Sequence, residues 1–282
     1  MDLRTLKYVF AASVFLCCAD ANVATEIFTL PDSITEASAL ETTSKSKFLW
    51  TIQDSGNPAE LFALDNHGNL AHTVKITNAR NVDWEALASD KAGNLYIGDF
   101  GNNDNKRLDL CIYKINRRDL GKTNAAYSAK ISFHYPEQTE FPPTKSGKFY
   151  DAEAFIYLRG HFYLFTKNRS GKSGTRIYSI PAKHGNHAAK LLGEIPTDDD
   201  KQCRVTDADI SDDGKRLILI SYRKAWLIDN FRRNDFTAGK ITEIQLDTKT
   251  QLEGVCFKNN STVYLVDEKT LGRGGKVYQL NL

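Results

Sequence analysis

Trp84-Glu85-Ala86-Leu87-Ala88, with Leu95-Tyr96-Ile97-Gly98-Asp99 a few residues on, heads an apolar run with an acidic and a small residue and then adds a second, strongly β-prone run. The same figure recurs at Thr35-Glu36-Ala37, Ala152-Glu153-Ala154, Thr206-Asp207-Ala208 and Leu252-Glu253-Gly254. The acidic residues stand 49, 68, 54 and 46 positions apart, a period that marks a repeat architecture. The second β-prone runs are residues 48–52, 95–97, 162–165, 217–220 and 263–266. A third strand is predicted in every unit, at 60–64, 111–115, 176–180, 225–228 and 276–280, and a fourth in four of them, at 72–76, 130–135, 190–195 and 241–246. Turn signals such as Asn66-His67-Gly68-Asn69 and Asp212-Asp213-Gly214 separate the strands, and no segment shows helical periodicity.

Four short strands in each unit of about 50 residues describe a propeller blade. The fifth unit ends three strands in, at Leu282, while residues 24–30 stand unassigned ahead of the first repeat. Pairing that N-terminal strand with the last blade closes the ring and removes two open sheet edges. The expected fold is therefore an all-β, five-bladed propeller. A sixth blade, the alternative, would have to fit in the longest interval, whose surplus at 136–149 carries three prolines and reads as a loop.

Composition bounds the function. With 282 residues, 41% of them hydrophobic, the chain can bury a large core without disulfides or metals to staple it. A net charge of +2 and the absence of a Lys/Arg stripe exclude nucleic acid as an obligate partner. Residues 1–21 read as a signal peptide: Arg4 and Lys7, an apolar run from Tyr8 to Cys18, and Ala19-Asp20-Ala21 as a small-x-small cleavage site. That run is too short to span a bilayer. We therefore expect an exported protein, periplasmic or extracellular, with 22–282 as the propeller. Cys17 and Cys18 follow residues too bulky for a usual lipobox, which disfavours a lipoprotein. Cys111, Cys203 and Cys256 match no zinc spacing and are expected as thiols.

In a propeller the innermost strands line the channel, and their starts open on the same face as the ends of the second strands. Two sets of side chains are thereby predicted at one mouth. The inner set is Glu36, Glu85, Glu153, Asp207 and Glu253, one per blade. The outer set is Asp54, Asp99, Lys167 with Arg169, Arg223 with Lys224, and Asp267 with Glu268. Two unit charges about 4 Å apart cost roughly 4 kcal/mol at an effective dielectric of about 20, so five converging carboxylates need protons or a cation. A hard ion with six to eight oxygen ligands suits them, and calcium is the expected metal. The competing reading has the acids accepting hydrogen bonds from the neighbouring blades' N–H groups. Lys167, Arg169 and Arg223 are the candidate anion-binding residues, and Asp54 or Asp99 could position water. No histidine falls in either set, which argues against zinc.

Residues 82–88 followed by 95–103 resemble a group of exported bacterial propeller proteins, and Leu252-Glu253-Gly254-Val255 resembles segments of phytase-like and lactonase-like propellers. Blade count and channel acids are most similar to the calcium-activated nucleotidases. That resemblance implies calcium at Glu85, Glu153 and Glu253, with Glu36 or Ser38 as a further ligand. The function expected is a calcium-dependent hydrolase of a phosphate ester or lactone. The rival is a non-enzymatic binding module of the cell envelope, with a structural calcium or none. Either takes a small anionic ligand or an envelope partner, and a monomer is expected.

Overall fold

The computed structural model describes residues 23–198, 200–247 and 249–282; the expected signal peptide lies outside them. Five sheets, each antiparallel across its four blade strands, follow one another in the chain. Running from the channel outward, blade one holds Ala37–Thr42, Leu49–Gln53, Glu60–Leu64 and Leu70–Ile76. Blade two holds Trp84–Ser89, Leu95–Asp99, Cys111–Ile115 and Ala129–His134. Blade three holds Ala152–Leu158, His161–Thr166, Thr175–Pro181 and Lys190–Ile195. Blade four holds Asp207–Ile210, Leu217–Ile220, Lys224–Asp229 and Lys240–Gln245. Blade five holds Leu252–Asn259, Thr262–Asp267 and Lys276–Asn281, and takes Thr25–Thr29 as its outermost strand. The chain is a five-bladed propeller, closed by its N-terminal strand running antiparallel to its last.

The long apolar runs have a direct cause, since each sheet is buried on both faces and successive side chains point to opposite faces. In His161–Thr166, Phe162 and Leu164 enter the core shared with blade two, while Tyr163 and Phe165 enter the core shared with blade four. Ile218 and Ile220 likewise face blade five, and Leu217 and Leu219 face blade three. The cluster joining Leu40 of blade one to Val266 and Val277 of blade five completes the ring.

Residues 136–149 contain no strand and only a single 3-10 turn at Lys145–Gly147, which leaves no room for a sixth blade. The sequence did not announce two short parallel strands that cross between blades. Asn124–Ala125, from blade two, pairs with the outer edge of blade one, and Gly185–Ala188, from blade three, with that of blade two. They cover edges that would otherwise present unpaired backbone groups. His187 lies in the second of them. Cys111, Cys203 and Cys256 are buried free thiols. Among the described residues no helix is long and apolar enough to cross a membrane.

Candidate functional site

In four blades the inner strand begins with a β-bulge, at Ser38, Glu85, Glu153 and Glu253. A bulge puts one extra residue opposite the partner strand and re-aims its side chain, here into the channel mouth. Blade four has no bulge, but Thr206 holds the corresponding place. Its Oγ1 donates to the Leu252 carbonyl at 2.7 Å, just as Ser38 Oγ donates to the Trp84 carbonyl at 2.9 Å, and each acceptor directly precedes the next blade's bulged glutamate. The ring at this level is therefore Ser38, Glu85, Glu153, Thr206 and Glu253. Three carboxylates and two hydroxyls stand where five carboxylates were expected.

The other two expected members lie elsewhere. Glu36 is two residues ahead of Ser38, in a second ring with Asp83, Asp151, Arg204 and Gln251. Asp207 points away from the mouth: it is 0% exposed, and its Oδ2 accepts the Val255 N–H at 2.8 Å, stitching blade four to blade five. For that residue the hydrogen-bonding alternative holds. Its Oδ1 has no partner among the described residues, and burial raises its pKa well above the ordinary range.

The mouth is a cavity of about 410 Å³. Glu36, Asp54, Glu85, Glu153, Glu253 and Glu268 line it with Lys167, Arg169, Lys201, Arg204 and Tyr222. Of the outer set, Asp54, Lys167, Arg169 and Glu268 reach the cavity, and Asp99, Arg223, Lys224 and Asp267 do not line it. Asp99 is buried, accepting from the Arg107 guanidinium at 2.9 Å and from the Asp83 N–H at 3.2 Å, so it braces Asp83 instead of facing a substrate. Arg223 donates to Gln202 Oε1 at 2.8 Å, and Lys224 is paired with Asp198 and Glu243. Asp267 accepts from Thr250, Lys276 and Tyr278 within blade five.

The two sides of the mouth differ in how their charges are compensated. On blade three both oxygens of Glu153 are occupied, by Lys167 Nζ at 3.0 Å and by Arg169 at 2.9 Å, and Arg169 also bonds Asp151. Glu253 accepts the Tyr222 hydroxyl at 2.8 Å, and Lys167 Nζ lies 5.6 Å above the Tyr222 ring. Burial disfavours charge on Lys167, but Glu153 and Glu253 outweigh it and hold the ammonium protonated.

Blades one and two have no such cations in the mouth. Asp54, Asp83 and Glu85 bring one carboxylate oxygen each within 4.8 Å of one another. No donor among the described residues reaches the Glu85 carboxylate, although the residue is only 8% exposed. Burial, then the charges of Glu153, Asp54 and Asp83, push its pKa well above the carboxylate range. Burial and Asp54 push Asp83 up to about 7, against the pull of Arg107. Gly101 passes directly beneath this pair, and a Cβ there would come within 2.5 Å of Asp83 and closer still to Glu85 Oε1. An orphaned carboxylate, two more oxygens in reach and a backbone that leaves them room suit a hard cation such as calcium. The expectation had Glu85 and Asp54 in separate roles and overlooked Asp83. Its signal was available as Asp83-x-Glu85, repeated in Asp151-x-Glu153 and softened in Glu36-x-Ser38.

No protein family matches the chain, and no curated protein is similar enough in sequence to be paired with it. Among solved structures, a gluconolactonase from Xanthomonas campestris covers 87% of this chain and 72% of its own, at 10% identity and a TM-score of 0.47. A likeness of that grade is silent on chemistry.

Proposed function

We propose that the mouth is a calcium-dependent site for a small anionic ligand, and that it hydrolyses a phosphate ester or lactone. The observation that carries this reading is the cluster of Asp54, Asp83 and Glu85, whose Asp54 and Glu85 share the cavity lining with Lys167, Arg169, Lys201 and Arg204. These three carboxylates would hold the ion. A bound calcium supplies Lewis-acid polarisation of a phosphoryl or carbonyl oxygen. Arg169, held by Asp151, Glu153 and Asn103, offers a fixed positive charge to a ligand across the cavity. Lys167, tied to Glu153, adds a second. Glu36 is the carboxylate best placed to accept a proton from water, because its only described partner is the Asn57 amide, at 2.5 Å on Oε2.

A second reading is a binding module that holds its ligand without turnover. It is favoured by the absence of a histidine or cysteine from the lining, and by the engagement of Ser38 with the Trp84 carbonyl. The exported location expected from residues 1–21 suits either reading, since calcium is abundant outside the cell.

The test is to melt the mature chain with calcium and with chelator, then assay it on nucleoside di- and triphosphates, p-nitrophenyl phosphate and lactones. A ligand at 100 times its dissociation constant adds about 2.7 kcal/mol, so calcium should raise the melting temperature by several degrees. An unchanged melting curve removes calcium. A calcium shift with no turnover on any substrate leaves the binding module.

A further inference from the structure

Blade four breaks the acidic pattern of the second ring. Where blades one, two and three present Glu36, Asp83 and Asp151, it presents Arg204. Arg204 and Lys201 both line the cavity, and among the described residues neither side chain is held by a hydrogen bond or a salt bridge within 4 Å. Arg204 Nε is buried with no acceptor among the described residues. The acids that act on Arg204 from nearby are already committed. Asp151 serves Arg169 and the Asn102 N–H, and Asp200 accepts the Gln202 N–H at 2.9 Å as the cap of the single turn Lys201–Cys203. Burial, then the neighbouring Arg169 guanidinium, depress the Arg204 pKa, and the nearby Asp151 and Asp200 carboxylates only partly offset them.

We propose that Arg204 and Lys201, backed by Arg169, form a subsite for a phosphoryl group, so that the ligand of this mouth is a phosphorylated small molecule. Two side-chain cations with no bonded acid among the described residues suit a group that carries about two negative charges. A phosphate monoester carries about −1.5 to −2 near neutral pH, whereas a carboxylate brings only one charge. The phosphate also offers three acceptor oxygens to a guanidinium fork and an ammonium, which suits Arg204 Nε as one of the donors. The buried, acceptor-less Nε distinguishes this place from ordinary surface cations, which water satisfies. The inference deepens the function proposed above by naming the group its anionic ligand carries. It does not need calcium to be present.

The test is calorimetric titration of the mature chain with glucose 6-phosphate, glucose, gluconate and inorganic phosphate, each in calcium and in chelator. Glucose 6-phosphate and phosphate should bind, gluconate at least tenfold more weakly, and glucose not measurably. Arg204→Gln should weaken glucose 6-phosphate more than tenfold. Lys201→Ala, at an exposed position that cannot endanger the fold, should weaken it several-fold. Asp54→Asn should abolish the calcium shift in melting while leaving phosphate binding in chelator intact, which keeps the two proposals separable. Gluconate binding as tightly as glucose 6-phosphate would overturn the subsite, and so would unchanged phosphate affinity in both Arg204→Gln and Lys201→Ala.

Discussion

Blades two and four place opposite chemistry on matching backbone positions. Blade two offers Asp83 and Glu85, blade four Arg204 and Thr206, each pair spaced by one residue at the head of an inner strand. The strands behind them pair and bury alike, with Leu95 and Ile97 filling one inter-blade core and Leu217 and Leu219 another. The repeat therefore specifies where a side chain enters the mouth but not what charge it brings. Charge is free to vary because the ring residues contribute little to the apolar cores that hold the blades together. The outcome is a polarised cavity, acidic beside blades one and two and cationic beside blades three and four.

The largest effect expected from breaking this contrast is at Glu85. Glu85→Gln removes a buried carboxylate that has no donor, so the metal-free protein should melt higher than the parent. The same change should abolish the calcium-induced rise, about 2.7 kcal/mol at 100 times the dissociation constant. A variant that melts lower in chelator and still responds to calcium would show that Glu85 is neither orphaned nor a ligand. Next comes Gly101→Ala. Its methyl would press on Asp83 and Glu85, and overpacking of this kind costs about 1–3 kcal/mol. Thermal melts with and without calcium should show lower stability in both conditions and a smaller calcium shift. The equivalent insult on the cationic side is absent, so Gly171→Ala should leave the calcium shift untouched and lower stability only through its positive φ of 85°.

Asp207 sharpens the contrast from within blade four, because it repeats the acidic signature without joining the mouth. Asp207→Ala leaves the Val255 N–H unpaired in the interior and should cost about 1–3 kcal/mol, read as a shift in the urea midpoint. Asp207→Asn keeps an acceptor and should cost less, with calcium response unchanged in both. The residue also shows why the sequence was readable only to a point. The repeat period, the strand runs and the closing strand at Thr25–Thr29 were all legible, because two-sided burial writes itself as apolar runs between turn residues. Alignment at the channel was not. A bulge shifts side-chain parity by one residue, so the acidic triplets Thr35-Glu36-Ala37 and Thr206-Asp207-Ala208 point to Glu36 and Asp207 where Ser38 and Thr206 hold the glutamate's place; Glu36-x-Ser38 carried the hint for blade one, and blade four carried none. Their hydroxyl bonds to the next blade became visible only once the blades were set side by side. The cross-blade strand Asn124–Ala125 is two residues long and carries no periodic signal at all.

The pH dependence of the two sides gives the last contrast, read as a slope and not as a single shift. Burial pushes Asp83 on the acidic side, and Asp151 and Glu253 on the cationic side, up to about 7 each. In the unfolded chain such groups titrate near 4. Between those values the folded protein binds protons that the unfolded chain does not, so stability falls as pH rises from about 4 toward 7 and levels off above. Melting in chelator should therefore give a temperature that declines across that window. Saturating calcium favours the ionised forms of Asp54, Asp83 and Glu85 and should remove their share of the decline, while Asp151 and Glu253 keep theirs. The slope in calcium should be shallower than in chelator but not zero, and Asp83→Asn in chelator should recover part of that difference. If melting temperature instead rises from pH 5 to 7 in chelator, the carboxylates of this mouth are ionised without a metal. The uncompensated side of the cavity would then need another source of positive charge.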